Sequence, residues 1–278
     1  MKKTMRTLPA LLLILSACGH QEIFLTLPLA PPARCVEISG WKKVETHTHT
    51  TNSDGDSSPS VVAKWYKDSC FDTIIITDHN YVTYEDQEGL EVIAGEEMST
   101  IEDPHTHHVA VDNEKIIFNH PLAYSFNDKE DMLADTTSLF EVWNEGTQSL
   151  SNSSVLEEEA WDYVLANGKL MYGVAASDNH YLKTSEVHAG EAFIMVRDSG
   201  MATIEAIKAG DFYASTGVYL SEYTPDSLNY TMSVDYSATK ADICITEIIT
   251  AGNYTRGKVS CSYGSDTLYA WGQPVAMN

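Results

Sequence analysis

The stretch Val44-Glu45-Thr46-His47-Thr48-His49-Thr50-Thr51-Asn52-Ser53-Asp54-Gly55 sets two imidazoles at i and i+2, with a carboxylate five residues further on. At the end of an extended segment, side chains two apart point the same way, so His47 and His49 can address one ion. A lone His-Xaa-His is a weak signal. It gains weight because donors of the same kind recur: Asp78 and His79 in TDHN, Glu96 and Glu97 in GEE, and His105, His107 and His108 in HTHH. His120 in NHP and Asp178 and His180 in SDNH continue the series, and nine of the ten histidines fall between 47 and 188. Imidazole and carboxylate donors without thiolate suit Zn, Mn or Fe. A pocket gathering so many neutral and negative donors is naturally balanced by bound divalent cations.

The elements that must hold these donors follow from hydrophobic periodicity. Short apolar runs predict strands over 43–46, 73–77, 91–94, 109–111, 116–119, 139–143, 170–176 and 192–196. Helices are predicted over 59–70, capped by Ser57 or Ser58 with Pro59 early; over 155–167, closed by Gly168; and over 202–209, closed by Gly210. Strands alternating with helices predict a parallel α/β arrangement. The donor clusters track the ends of the strands, and in an α/β barrel those ends converge on one face. From about 221 the texture changes to strands over 230–236, 243–250, 259–263 and 268–271, separated by Gly, Asn, Asp and Ser turns. That predicts a small antiparallel β domain over 221–278 with the chemistry upstream of it.

At 278 residues and 43% hydrophobic content the chain suits one sizeable folded body with a small appendage. The formal net charge of -23 argues against non-specific nucleic-acid binding, because a polyanion would be repelled. Lys2, Lys3 and Arg6 precede an apolar run over 8–15 that is too short to span a bilayer, which reads as a targeting signal. The following Leu15-Ser16-Ala17-Cys18-Gly19 resembles a bacterial lipobox, implying cleavage before Cys18 and a lipid on that cysteine. Residues 1–18 are thus expected to be a lipoprotein signal and the Pro-containing 19–40 a tether, with the protein anchored in the bacterial cell envelope through its lipid. In an oxidising compartment Cys35, Cys70, Cys244 and Cys261 can pair, and Cys244 with Cys261 is the expected bridge within one β unit.

The motifs in their order, ETHTHTTNSDG, TDHN, GEE, HTHH, NHP, EVWN over 141–144 and SDNH, resemble the PHP (polymerase and histidinol phosphatase) metallohydrolases. The later ATIEAIKAGDFYASTG and YAWGQPV are similar to the CehA/McbA-like branch, and the likeness spans about 41–278. It implies a distorted (β/α)7 barrel over 41–220 with up to three metals on its C-terminal face. His47, His49, Glu97 and Asp178 would hold the first metal, Glu97 would bridge to a second with His107 and His120, and Asp54, His79 and His180 would hold a third. His108 is the alternative to His107 on period-two grounds. Asp178 and Asp78 are the expected catalytic carboxylates, Asp78 either taking the second N–H of a bound imidazole or accepting a proton. Glu141 and Asn144 are expected to line the pocket, and His20 and His105 to lie in the tether and a loop. His188 is a candidate substrate contact.

The chemistry expected of such a centre is hydrolysis: water deprotonated between two cations attacks phosphorus or a carbonyl carbon. A metal-dependent phosphoesterase acting on a small exported, phosphorylated substrate is the first reading. A carboxylic or carbamate ester hydrolase is the second, and a metal-bearing surface binding protein is the third.

Overall fold

The computed structural model describes residues 35–99, 106–122, 129–147, 153–183 and 189–277. The expectations for Cys18, His20, His105 and His188 fall outside them. In chain order the elements are β1 (Trp41–Thr48), α1 (Pro59–Asp68), β2 (Thr73–Ile76), β3 (Glu91–Met98), β4 (His108–Val111), β5 (Glu114–Phe118) and α2 (Lys129–Ala134). Then come β6 (Leu139–Asn144), α3 (Ser153–Ala166), β7 (Tyr172–Ala176), β8 (Phe193–Arg197), α4 (Thr203–Lys208), β9 (Phe212–Ser215), β10 (Leu220–Thr224) and β11 (Thr231–Val234). The chain closes with β12 (Cys244–Ala251), β13 (Tyr254–Tyr263), β14 (Asp266–Gly272) and β15 (Val275–Ala276).

One large sheet runs β12-β13-β14-β9-β8-β1-β2-β3-β4-β5-β6-β7, with β15 on β13, while β10 and β11 form a separate hairpin. The protein is mixed α/β and mostly sheet. Strands β1, β2 and β3 are parallel, as are β5, β6 and β7. Just past β7, Asn179 bridges Thr48 in parallel and accepts the His49 N–H at 2.9 Å, so the run from β1 to β7 curls until its ends meet.

A regular succession of seven β/α units is not seen among the described residues. Between β3 and β5 the chain makes an antiparallel meander, because β4 and β5 are joined by only Asp112 and Asn113. Both have positive φ (52° and 64°), the backbone of a two-residue hairpin turn, and so short a link cannot carry a parallel crossover. Pairing with β4 also carries β3 on to Met98, past the predicted end at 94. Gly95 is required there: a Cβ would lie 2.8 Å from Ile75 Cγ2 and 2.9 Å from the Ala110 carbonyl oxygen.

The β-branched run of β2 is buried on both faces, as parallel strands covered on each side are. Ile75 packs into one apolar cluster with Val44, Phe118, Phe140 and Trp161. Ile74 and Ile76 join the other, against Val62, Trp65 and Tyr66 of α1. Their i, i+3, i+4 spacing gives α1 one apolar stripe. Ser58 stands at its N-cap position, but its hydroxyl makes no capping hydrogen bond. The helix ends at Asp68, and two residues on Cys70 has φ 61° and is disulfide-bonded to Cys35.

The C-terminal strands are antiparallel and extend the large sheet through the pairing of β14 with β9. Cys244 and Cys261 face each other across β12 and β13 and form a disulfide. Arg256 of β13, buried against the Trp161 ring, ties this region to α3 through Asp162 and Glu158. Among the described residues no helix is long and apolar enough to cross a membrane.

Candidate metal centre

Strand β1 delivers His47 from within it and His49 one residue past its end, both 0% exposed. Glu97 comes from β3 and Asp178 from two residues beyond β7. The four donor atoms His47 Nε2, His49 Nε2, Glu97 Oε2 and Asp178 Oδ1 meet. The two Nε2 atoms are 3.1 Å apart; each lies 3.3 Å from Glu97 Oε2, and they lie 3.3 and 3.2 Å from Asp178 Oδ1. A tetrahedral cation with N and O ligands at about 2.0–2.1 Å needs donor separations of about 3.3–3.4 Å. The separations between these donors match that spacing to within a few tenths of an ångström.

The proton inventory fits as well. Asp178 Oδ1 is buried and makes no hydrogen bond among the described residues, although two imidazoles face it. His47 Nδ1 lies 3.0 Å from Glu141 Oε1, so a hydrogen on Nδ1 leaves the Nε2 lone pair directed into the set. Burial alone would push His47 down, but Asp178, Glu97 and Glu141 raise its pKa well above the ordinary histidine value. Burial opposes ionisation of Glu97 and Asp178 too, yet the surrounding imidazoles hold both below the usual carboxylate range. The carboxylates are therefore anionic, as ligands must be.

Glu97 also serves a second set. Its Oε1 lies 2.9 Å from both His107 Nδ1 and His120 Nε2 and accepts Asn119 Nδ2 at 3.1 Å. His79 Nδ1 is 3.1 Å from Glu97 Oε2, adding an imidazole that the sequence reading placed only in the third set. That third set opens to solvent: Asp54, 53% exposed, lies 3.4 Å from both His79 Nε2 and His180 Nε2. His49 Nδ1 lies 3.7 Å from Asp54, and its ring stacks on His180 at 4.0 Å. The three sets thus share His49, His79 and Glu97 and form one continuous array.

His107 lies in the array and His108 does not. Period-two alternation turns His108 away, onto Asp135 at 2.7 Å and the Phe118 ring. Asp78 requires a correction. Its carboxylate receives Thr50 N–H and Oγ1 and Ser53 Oγ, each at 2.7 Å, together with the Thr83 hydroxyl. Burial would raise its pKa, but the hydrogen bonds from Thr83, Thr50 and Ser53 outweigh that and lower it. Asp78 therefore clamps the 50–54 loop that carries Asp54, and among the described residues its hydrogen bonds come from that loop and Thr83, not from an imidazole. Gly55 lets the loop fold tightly, since a Cβ there would meet Thr50 N at 2.8 Å.

Sequence reasoning missed Glu45. It is 0% exposed behind His47, and its carboxylate accepts the backbone N–H groups of Thr46, His47 and Ser177, each at 3.1 Å. Burial pushes its pKa up to about 7.

No family model and no curated protein matches this chain. Among solved structures it is similar to a crystal structure described as a two-domain protein containing a predicted PHP-like metal-dependent phosphoesterase, from Bacteroides vulgatus ATCC 8482. Identity is 13%, the TM-score is 0.40, and the alignment covers 88% of this chain and 91% of that one, a likeness too distant to carry an argument.

Proposed function

We propose that the chain is a metal-dependent hydrolase of the PHP type, acting on phosphate esters. The observation that carries this reading is the buried set His47, His49, Glu97 and Asp178, whose donor spacings suit a tetrahedral cation and whose Glu97 is shared with a second set. Two or three divalent cations (Zn, Mn or Fe) fit the array. When bound, they supply charge to lower the pKa of water and to neutralise oxygens on the ester.

The chain's own groups hold and orient. Glu97 presents one oxygen to each of two sets, and Asp178 turns its Oδ1 to the imidazoles of His47 and His49. Asp54, His79 and His180 stand at the exposed end, where a substrate arrives. Catalytic work falls to Asp178 and the array, and Asp78 is retained as a positioning residue. A distorted barrel over 41–220 is part of this reading, supported by the meeting of β1 and the end of β7.

A carboxylic or carbamate ester substrate is the second reading. It is favoured by the described arginines: Arg197 is paired with Asp211 and Arg256 with Asp162 and Glu158, so neither supplies the fork that phosphate sites often use. Two disulfides support export to an oxidising compartment, in line with a lipid anchor at Cys18.

The test is a panel on purified protein loaded with Mn or Zn: nitrophenyl phosphate, bis-nitrophenyl phosphate and an aryl acetate. Phosphate turnover that disappears in Asp178→Ala is expected. Turnover of the acetate alone moves the assignment to the second reading. Stoichiometric metal with no turnover refutes both for these substrates.

A further inference from the structure

We infer that Glu141 is a positioning residue that holds two donor sets at once, and that a carboxylate is required because both of its oxygens must accept. This rests on the metal reading above. Glu141 lies on β6 and is 1% exposed. Its Oε1 is 3.0 Å from His47 Nδ1, in the first set. Its Oε2 accepts the backbone N–H of His120 at 2.6 Å and Asn144 Nδ2 at 2.9 Å. Asn144 reaches on to Asp178 Oδ2 at 3.1 Å and is fixed by the Thr147 N–H on its Oδ1 at 3.0 Å.

Each contact has its own task. Hydrogen on His47 Nδ1 leaves Nε2 free as a donor atom, so the Glu141 contact sets the tautomer in the first set. His120 has φ 24°, a backbone state that non-glycine residues hold only when their surroundings enforce it. A short, charge-assisted bond from its N–H to Glu141 supplies that enforcement and lets the ring reach Glu97 Oε1.

An amide cannot do both. In Glu141→Gln one oxygen remains, and two donors compete for it on the His120 and Asn144 side against one on the His47 side. The amide oxygen turns to the pair, and its NH2 then faces His47 Nδ1, which can take it only as an acceptor. The His47 hydrogen moves to Nε2 and the first set loses a donor, while the second keeps its geometry. Glu141→Ala removes both supports.

The experiment is zinc titration of wild type, Glu141→Gln and Glu141→Ala against a competing chelator, with bound zinc counted per chain. A fall of about tenfold or more at one site is expected for Glu141→Gln, in the range usual for groups that orient metal ligands, and at two sites for Glu141→Ala. Melting of the metal-free proteins checks the fold. In zinc-loaded wild type, ¹⁵N shifts of the His47 ring must show hydrogen on Nδ1 and metal on Nε2. That readout stands even if the variants do not fold, and the opposite arrangement overturns the inference. Unchanged affinity at every site in Glu141→Gln also overturns it while leaving the metal reading intact. A wild type that takes up no zinc refutes the metal reading itself, before any variant is compared.

Discussion

Glu157 lies on α3, four residues before Trp161 and so on the same helix face. Trp161 packs on Gly173 and donates its ring N–H to the Met171 carbonyl, so that face is turned to the sheet. Glu157 is 0% exposed, and among the described residues neither carboxyl oxygen has a hydrogen-bond partner. Burial, with a further contribution from the Glu141 charge, raises its pKa well above 4.5. The acid is therefore buried neutral, and its unmet hydrogen bonds cost about 1–3 kcal/mol. Glu157→Met, an apolar side chain of similar length, should recover about that much below about pH 4.5 and more at neutral pH, raising the melting temperature by at least a few degrees.

The sign of the pH dependence is fixed. A carboxyl raised in the folded state contributes fully below its unfolded value, and the contribution is lost as pH rises through the folded value. The stability difference between Glu157→Met and wild type should thus widen above about pH 4.5, by up to about 1.4 kcal/mol per unit. Denaturant unfolding of both proteins, metal-free, at a series of pH values measures it. A variant no more stable than wild type, or a difference flat with pH, would refute the reasoning.

Asp78→Asn places an amide NH2 against the Thr50 and Thr83 hydroxyls. It should cost about 1–3 kcal/mol and loosen only the Asp54 end of the array, seen as lost affinity for the most weakly held zinc. Cys244→Ser opens a 17-residue separation and should destabilise by about 3 kcal/mol in the chain-entropy model, measured under non-reducing conditions. In metal-free protein the raised His47 stabilises below about pH 6.5 and loses that contribution as pH rises, whereas the depressed Glu97 and Asp178 stabilise above about pH 4 and lose theirs as pH falls. Protons on the imidazoles compete with metal, so apparent zinc affinity should drop from pH 8 to 6 by about tenfold per unit for each proton displaced. A titration flat across that window would contradict it.

The strand-end rule worked where the strands are parallel. His49, His79, His120 and Asp178 all follow β-strand ends, and hydrophobic runs locate those ends well. It misplaced Glu97, which lies inside β3, because pairing with β4 is a tertiary event that extends the strand past its apolar run. The meander itself was legible in Asp112-Asn113, a two-residue turn pair between apolar runs, which should have broken the expectation of parallel alternation. Adjacency in sequence suggested that Asp78 would support the imidazole of His79. Successive side chains on an extended backbone diverge, and Asp78 turned to the Thr50–Ser53 loop instead. Glu141 and Asn144 read as pocket-lining, but their joint grip on His47, His120 and Asp178 depends on a β6 register that no local pattern encodes.

The most direct test is a count of metal. Protein purified without chelator, dialysed to equilibrium against micromolar zinc and analysed for its elements should hold at least two zinc ions per chain. Asp178→Ala should hold at least one fewer. A wild-type value below one per chain would contradict the reading of the His47, His49, Glu97 and Asp178 set as a metal site.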